Sequence, residues 1–113
     1  PLMVQVLTNL IENAAHAAGE GGWVEIDGRA SGGRITVEVA DSGPGVPMEL
    51  RDRVFEPFFT TKAPGAGSGL GLPLARAIVL RHGGVLEIRE RGARPVFVVD
   101  LPHSGVDTAA NAV

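Results

Sequence analysis

Arg34-Ile35-Thr36-Val37-Glu38-Val39-Ala40-Asp41-Ser42-Gly43-Pro44-Gly45 is the stretch on which the reading of this chain turns. Ile35, Val37 and Val39 are apolar and alternate with the polar Arg34, Thr36 and Glu38, the period of a half-buried strand. Continuing that parity puts Asp41 on the buried side, where a carboxylate is costly unless hydrogen bonds meet it. Two readings fit. Asp41 caps the turn that ends a strand, or it is an acceptor placed for a ligand, beside glycines at 43 and 45 that let the backbone come close to a guest.

Outward from that strand the chain reads as a simple succession of elements. Trp23 to Arg29 also alternates, and Ser31-Gly32-Gly33 predicts a hairpin between the two strands. Residues 2–18 predict a helix with Met3, Leu7, Leu10, Ala14 and Ala17 on its apolar stripe, ended by Gly19 to Gly22. Pro47 to Val54 predicts a short helix with Pro47 in its first turn, and residues 60–69 a flexible loop. Leu70 to His82 predicts a second long helix stopped by Gly83-Gly84. Val85 to Arg91 and Val96 to Leu101 predict a last strand pair, with Pro95 causing a local irregularity. The expected fold class is α+β, a two-layer sandwich of a mostly antiparallel sheet with helices on one face. Residues 1–102 form that domain, and residues 103–113, small and polar, a flexible tail.

Composition narrows the function classes. The chain has 113 residues, enough for one core, with 44% hydrophobic and 20% charged residues and a net charge of −3. Nothing is basic enough to suggest nucleic acid. No apolar run approaches the roughly 20 residues of a membrane span, and no signal peptide is visible. The absence of cysteine excludes disulfides and thiolate metal sites and fits a reducing, cytoplasmic setting.

Two further features carry chemistry. Gln5, Asn9, Asn13 and His16 recur at helical spacing and line one face of the first helix, although asparagine is a poor interior helix former. Amide oxygens suit a hard cation such as Mg²⁺; a solvated or partner-facing stripe is the other reading. Gly65-Ala66-Gly67-Ser68-Gly69-Leu70-Gly71-Leu72 runs into the second helix. Its backbone N–H groups and the helix N-terminus suit an anion such as phosphate. It matches neither a G-x-G-x-x-G fingerprint nor a Walker A loop.

In this order the pieces resemble the catalytic ATP-binding domain of sensor histidine kinases, a branch of the Bergerat-fold superfamily shared with gyrase, mismatch-repair and heat-shock chaperone ATPases. Asn9-Leu10-Ile11-Glu12-Asn13-Ala14 resembles the N box and Asp41 to Gly45 the G1 box. Phe55-Glu56-Pro57-Phe58-Phe59 resembles the F box and Gly67 to Leu72 the G2 box. Phe58-Phe59-Thr60-Thr61-Lys62 is most similar to kinases of the nitrogen- and oxygen-sensing type.

The resemblance implies ATP and Mg²⁺ as cofactors. It makes Asp41 the acceptor for the adenine amino group, with Gly43, Gly45 and Val46 close to the base. Asn13 becomes the Mg²⁺ ligand, with Asn9 assisting. His16 stands where many relatives carry a lysine near the phosphates, and a partly exposed helix histidine is its other reading. Gly67, Ser68, Gly69, Leu70 and Gly71 are implied to cradle the phosphates, and Lys62 to reach them from the mobile loop; a solvated lysine is the alternative there. Phe55 and Phe58 are implied near the nucleotide or are plain core residues. Phe59 is expected to stay exposed for docking of partner helices.

Hydrolysing members of the superfamily carry a glutamate general base where this chain has Asn9, and an amide takes no proton from water at neutral pH. Glu12 sits about 100° around the helix from Asn13 and about 60° from Asn9, no obvious substitute. The expected function is therefore donation of the γ-phosphate to a histidine on a separate dimerisation domain, with a response regulator receiver domain downstream. A hydrolysing ATPase and a non-catalytic nucleotide-binding module are the alternatives. Among His16, His82 and His103 none lies in a phosphoacceptor motif, and the strand and helix that usually precede the N box are missing. The chain is thus expected to be a monomeric C-terminal piece of a homodimeric kinase, cytoplasmic even where the parent is membrane-anchored.

Overall fold

Both glycines of Gly32-Gly33 lie at positive φ, 60° and 78°, as a two-residue turn between twisted antiparallel strands requires. They join β1 (Val24–Ser31) to β2 (Arg34–Asp41) in a register that runs from Ser31↔Arg34 to Val24↔Asp41. β1 thus reaches two residues closer to the turn than the alternation predicted, because the tight turn keeps Ser31 paired. The computed structural model describes residues 2–59, 69–92 and 94–103. Its other elements are α1 (Leu2–Ala18), α2 (Gly71–Arg81), β3 (Val85–Arg91) and β4 (Arg94–Pro102).

The sheet order is β1-β2-β4-β3 with every pair antiparallel, and both helices pack on one face. This is the two-layer α+β architecture expected. On the helix side lie Val39 of β2, Leu86 of β3, and Phe97 and Val99 of β4, in one core with Val6, Leu10 and Ala14 of α1 and Ala75, Ile78 and Val79 of α2. The apolar stripe of α1 is rotated from the predicted one. Val6, Leu10 and Ala14 are buried, Leu7 is half-buried and Ala17 exposed. The reason is that α1 packs against α2 as well as the sheet, and an i, i+4, i+8 ridge fills that seam.

Several boundaries follow from backbone chemistry. Past α2, the Gly83 N–H donates to the Leu80 carbonyl and the Gly84 N–H to the Val79 carbonyl, each at 3.0 Å, with Gly83 at φ 78°. This Schellman closure ends the helix where the glycine pair predicted. The predicted short helix at 47–54 is instead two 3₁₀ turns, Met48–Leu50 and Arg53–Phe55, and Pro47 precedes the first with ψ 144° rather than joining it. A segment that short gains little from α-helical bonding. β4 runs unbroken from Arg94 through Pro95, contrary to the expected irregularity. Pairing with β2 stops at Val39↔Phe97, so no strand flanks Pro95 on that side to miss its N–H. His103, the first residue of the predicted tail, donates its N–H to the Gly33 carbonyl at 2.7 Å. Residues 104–113 and the predicted loop residues 60–68 lie outside the described residues. Among the described residues no helix is long and apolar enough to cross a membrane.

Candidate functional site

The end of β2 decides where the site forms. Asp41 is half-buried on the helix side, as its parity predicted, and its Oδ1 accepts the Gly43 N–H at 2.7 Å. That bond is the turn-capping reading of this residue, and Oδ2 has no partner among the described residues. The same carboxylate borders a cavity of about 520 Å³. Its floor is the apolar side of the sheet, at Val39, Ile88 and Phe97, and its wall is the C-terminal half of α1, at Asn13 and Ala17.

The glycines have a second reason to be there. A Cβ on Gly43 would lie 2.4 Å from the Ala17 carbonyl oxygen, so only glycine lets the turn rest against the end of α1. Gly45 has φ 81°, and a Cβ there would lie 3.1 Å from the Pro95 ring. Sequence reasoning gave these glycines to a ligand; their contacts with α1 and β4 were invisible to it.

Of the residues singled out in sequence, Asn13, Asp41, Gly43, Gly45 and Val46 come together around the cavity. Asn13 is half-buried, and its amide makes no hydrogen bond among the described residues. An amide oxygen facing the cavity suits a hydrated hard cation that brings its own phosphate ligands. No group of three or more His, Asp or Glu side chains among the described residues holds a metal alone.

Asn9 is differently employed. Its Oδ1 accepts from Gln5 Nε2 and its Nδ2 donates to the Gly71 carbonyl, both at 3.1 Å, so it ties α1 to the first residue of α2. The end of the glycine-rich segment is thereby set one helical turn from Asn13. Gly69, Leu70 and Gly71 lead into α2, and no side chain caps that helix start. His16 is exposed on α1 outside the cavity lining. Lys62, Gly67 and Ser68 lie outside the described residues.

The F-box aromatics divide unexpectedly. Phe55 is core, edge-on to Phe97 with ring centroids 6.1 Å apart, and Arg76 lies over its ring. Phe58 is the exposed one, 73% accessible, at φ 66°. Phe59, expected to be exposed, is half-buried under Arg53. The left-handed backbone at Phe58 turns the chain back and reverses which ring faces out, at a cost of about 1 kcal/mol. The Phe58 N–H donates to the Gly69 carbonyl at 2.8 Å, so the two chain segments meet there.

Missed altogether by sequence reasoning were Arg91 and Arg94, which also border the cavity. Nothing local marks them, since they flank a hairpin turn remote from every box.

Comparison with known proteins places this geometry. The family described as histidine kinase-, DNA gyrase B-, and HSP90-like ATPase matches residues 1–105. The sensor histidine kinase ZraS of Salmonella typhimurium is 39% identical over 102 residues, 88% of this chain and 22% of that protein. A nucleotide-free catalytic domain of the histidine kinase ThkA superposes with a TM-score of 0.79 at 40% identity, over 89% of this chain and 66% of that one. ThkA in complex with the response regulator protein TrrA gives 0.73 at 38% identity, over 88% of this chain and 28% of that one. The chain thus spans about a fifth of the length of the curated relative it matches. With the family model matched over residues 1–105 and the fold agreeing, the chain belongs to the family of histidine kinase-, DNA gyrase B- and HSP90-like ATPases.

Proposed function

We propose that this chain is the catalytic domain of a sensor histidine kinase, binding Mg-ATP and presenting the γ-phosphate to a histidine on a separate dimerisation domain. The observation that carries this reading is the cavity in which an inward Asp41 carboxylate and an uncommitted Asn13 amide face a common space. The Oδ2 of Asp41, without a partner among the described residues, suits a purine amino group, and the apolar floor of Val39, Ile88 and Phe97 suits its ring. Asn13 would hold Mg²⁺, and Gly69 to Gly71 at the start of α2 would hold phosphate oxygens with backbone N–H groups. Mg²⁺ bound there supplies neutralisation of the phosphate charge.

Transfer is favoured over hydrolysis by what stands near the phosphate end. Asn9 is an amide already bonded to Gln5 and Gly71, and Glu12 is exposed on another side of α1. Neither is a base for water. Phosphoryl transfer needs mainly positioning and charge neutralisation, so the acceptor imidazole of the partner domain completes the reaction. The γ-phosphorus–oxygen bond to ADP breaks as the phosphorus–nitrogen bond forms. The phosphohistidine then passes its phosphoryl group to a response regulator receiver domain. A domain with this role works on the cytoplasmic side, in a homodimeric parent.

The test is label transfer from γ-labelled ATP to a dimerisation domain of a similar kinase, with acid lability identifying phosphohistidine. Alone, the chain should neither label itself nor turn over ATP. Steady hydrolysis by the isolated chain, abolished by Asp41→Asn, would put the hydrolysing ATPase first.

A further inference from the structure

The turn that bears Asp41 is held from outside by the start of β4. Arg94 Nη1 donates to the Asp41 carbonyl at 2.8 Å, and its guanidinium carbon lies 5.1 Å from the centroid of the Trp23 indole. Trp23 is joined twice to the next residue of the turn: its N–H donates to Ser42 Oγ at 2.8 Å, and its carbonyl accepts the Ser42 N–H at 3.0 Å. Pro95 abuts Gly45 on the other side.

Arg94 also differs from the other arginines of the sheet. Arg29, Arg34, Arg89 and Arg91 all pair with carboxylates, whereas Arg94 has no ion-pair partner among the described residues. Its polar contact is the backbone of the residue whose carboxylate faces the cavity, and it borders that cavity itself. A charged donor on a carbonyl makes a stronger hydrogen bond than a neutral one, and the indole face restricts where the guanidinium sits.

We infer that Arg94, backed by Trp23, is a positioning residue that fixes the Asp41 turn and so sets discrimination among purine bases. This rests on the nucleotide reading above. A carboxylate distinguishes an amino group from an oxo group only if its oxygen is held at hydrogen-bond distance; a turn free to shift by an ångström loses that distinction while still admitting the ring and phosphates.

The test is calorimetric titration of the full chain, with Mg²⁺, using ADP and inosine diphosphate, whose base carries an oxo group in place of the adenine amino group. The unaltered chain should prefer ADP. Arg94→Ala should weaken ADP binding about fivefold and leave inosine diphosphate binding unchanged, so that the preference shrinks by the same factor. Arg94→Lys should restore most of it, because an ammonium still donates to the carbonyl. In an Asp41→Asn background, Arg94→Ala should add nothing. If Arg94→Ala fails to fold by circular dichroism, Trp23→Leu removes the backing instead and should also reduce the preference. An unchanged ADP affinity, or equal losses for both nucleotides, overturns the inference while the nucleotide reading stands. An unaltered chain that binds neither nucleotide brings down both.

Discussion

The two faces of the sheet bury apolar residues by different means. On the helix side, Val39, Leu86, Phe97 and Val99 lie under α1 and α2. On the outer side, Ala40, Val96 and Val98 are buried almost as completely, with no helix above them among the described residues. What covers them is a lattice of arginine and carboxylate side chains. Arg91 reaches Glu25 at 2.8 Å and Glu38 at 2.9 Å, Arg29 joins Asp27 and Glu38, Arg34 meets Asp100 at 2.7 Å, and Arg89 bridges Glu87 and Asp100. The hydrogen bond it donates to Glu25 holds the Arg91 guanidinium above its ordinary pKa, as the one donated to Glu87 does for Arg89. Exposed ion pairs of this kind add little energy each. Their stems exclude water from the valines beneath, so a polar surface performs part of the work of a second layer. The consequence is where open space remains. Side chains close the outer face, whereas on the helix face α1 and the sheet leave a cavity at the end of β2.

Six substitutions test that contrast, beginning with the largest effect. Gly43→Ala drives a methyl group into the Ala17 backbone carbonyl, with no rotamer to relieve it. Stability should fall by about 3 kcal/mol and nucleotide binding should disappear. Denaturant titration showing an unaffected midpoint would mean that α1 and the turn are not in contact.

Adjacent valines on β4 sharpen the comparison directly. Val99, 0% accessible under the helices, should lose about 2–3 kcal/mol on truncation to alanine, since packed helices collapse poorly around a void. Val98, 1% accessible under the arginine lattice, should lose about 1–2 kcal/mol, because flexible side chains settle into the gap. Equal losses would show that the lattice packs as rigidly as the helices do.

The two asparagines of α1 separate scaffold from site within the helix face. Asn9→Ala removes the link from Gln5 to the start of α2 and should cost about 1 kcal/mol. Asn13→Ala removes no hydrogen bond among the described residues and inserts a better helix former, so ligand-free stability should hold or rise slightly. Its Mg²⁺-dependent ATP affinity should drop. Thermal unfolding with and without Mg-ATP reads both; a large loss of ligand-free stability at Asn13 contradicts its role.

The smallest effect is expected for Arg91→Gln on the outer face. It should lower the melting temperature slightly, and by a similar amount at low salt and in 1 M salt, where the Debye length is about 3 Å, because the shorter stem covers less of the valines. A loss confined to low salt would assign the stabilisation to the charge rather than to the covering stem.

Much of the chain was legible because its signals are local. The alternation from Ile35 to Val39 placed Asp41 on the inner side, and Gly32-Gly33 and Gly83-Gly84 marked a hairpin and a helix stop that the backbone forms as expected. The stripe of α1 was misplaced by part of a turn, because helical periodicity finds an apolar face but not which flank meets a neighbouring helix. Phe58 and Phe59 were exchanged for a similar reason: nothing in Phe58-Phe59 announces a left-handed backbone at a non-glycine residue.

The sequence carried in itself the two long helices, the four strands, their order, the inward aspartate and the family to which its four boxes point. These depend on residue chemistry and short spacings, which a linear chain carries in full. Tertiary structure alone decided that Asn9 holds two helices together while Asn13 faces the cavity, that Gly43 rests on the end of α1, and that Arg94 reaches the Asp41 carbonyl. Each of these joins residues far apart in the chain. The physical reason is that hydrogen bonds and close contacts depend on distance in space, which the register of β4 and the packing of α1 on α2 establish only once the whole domain has folded.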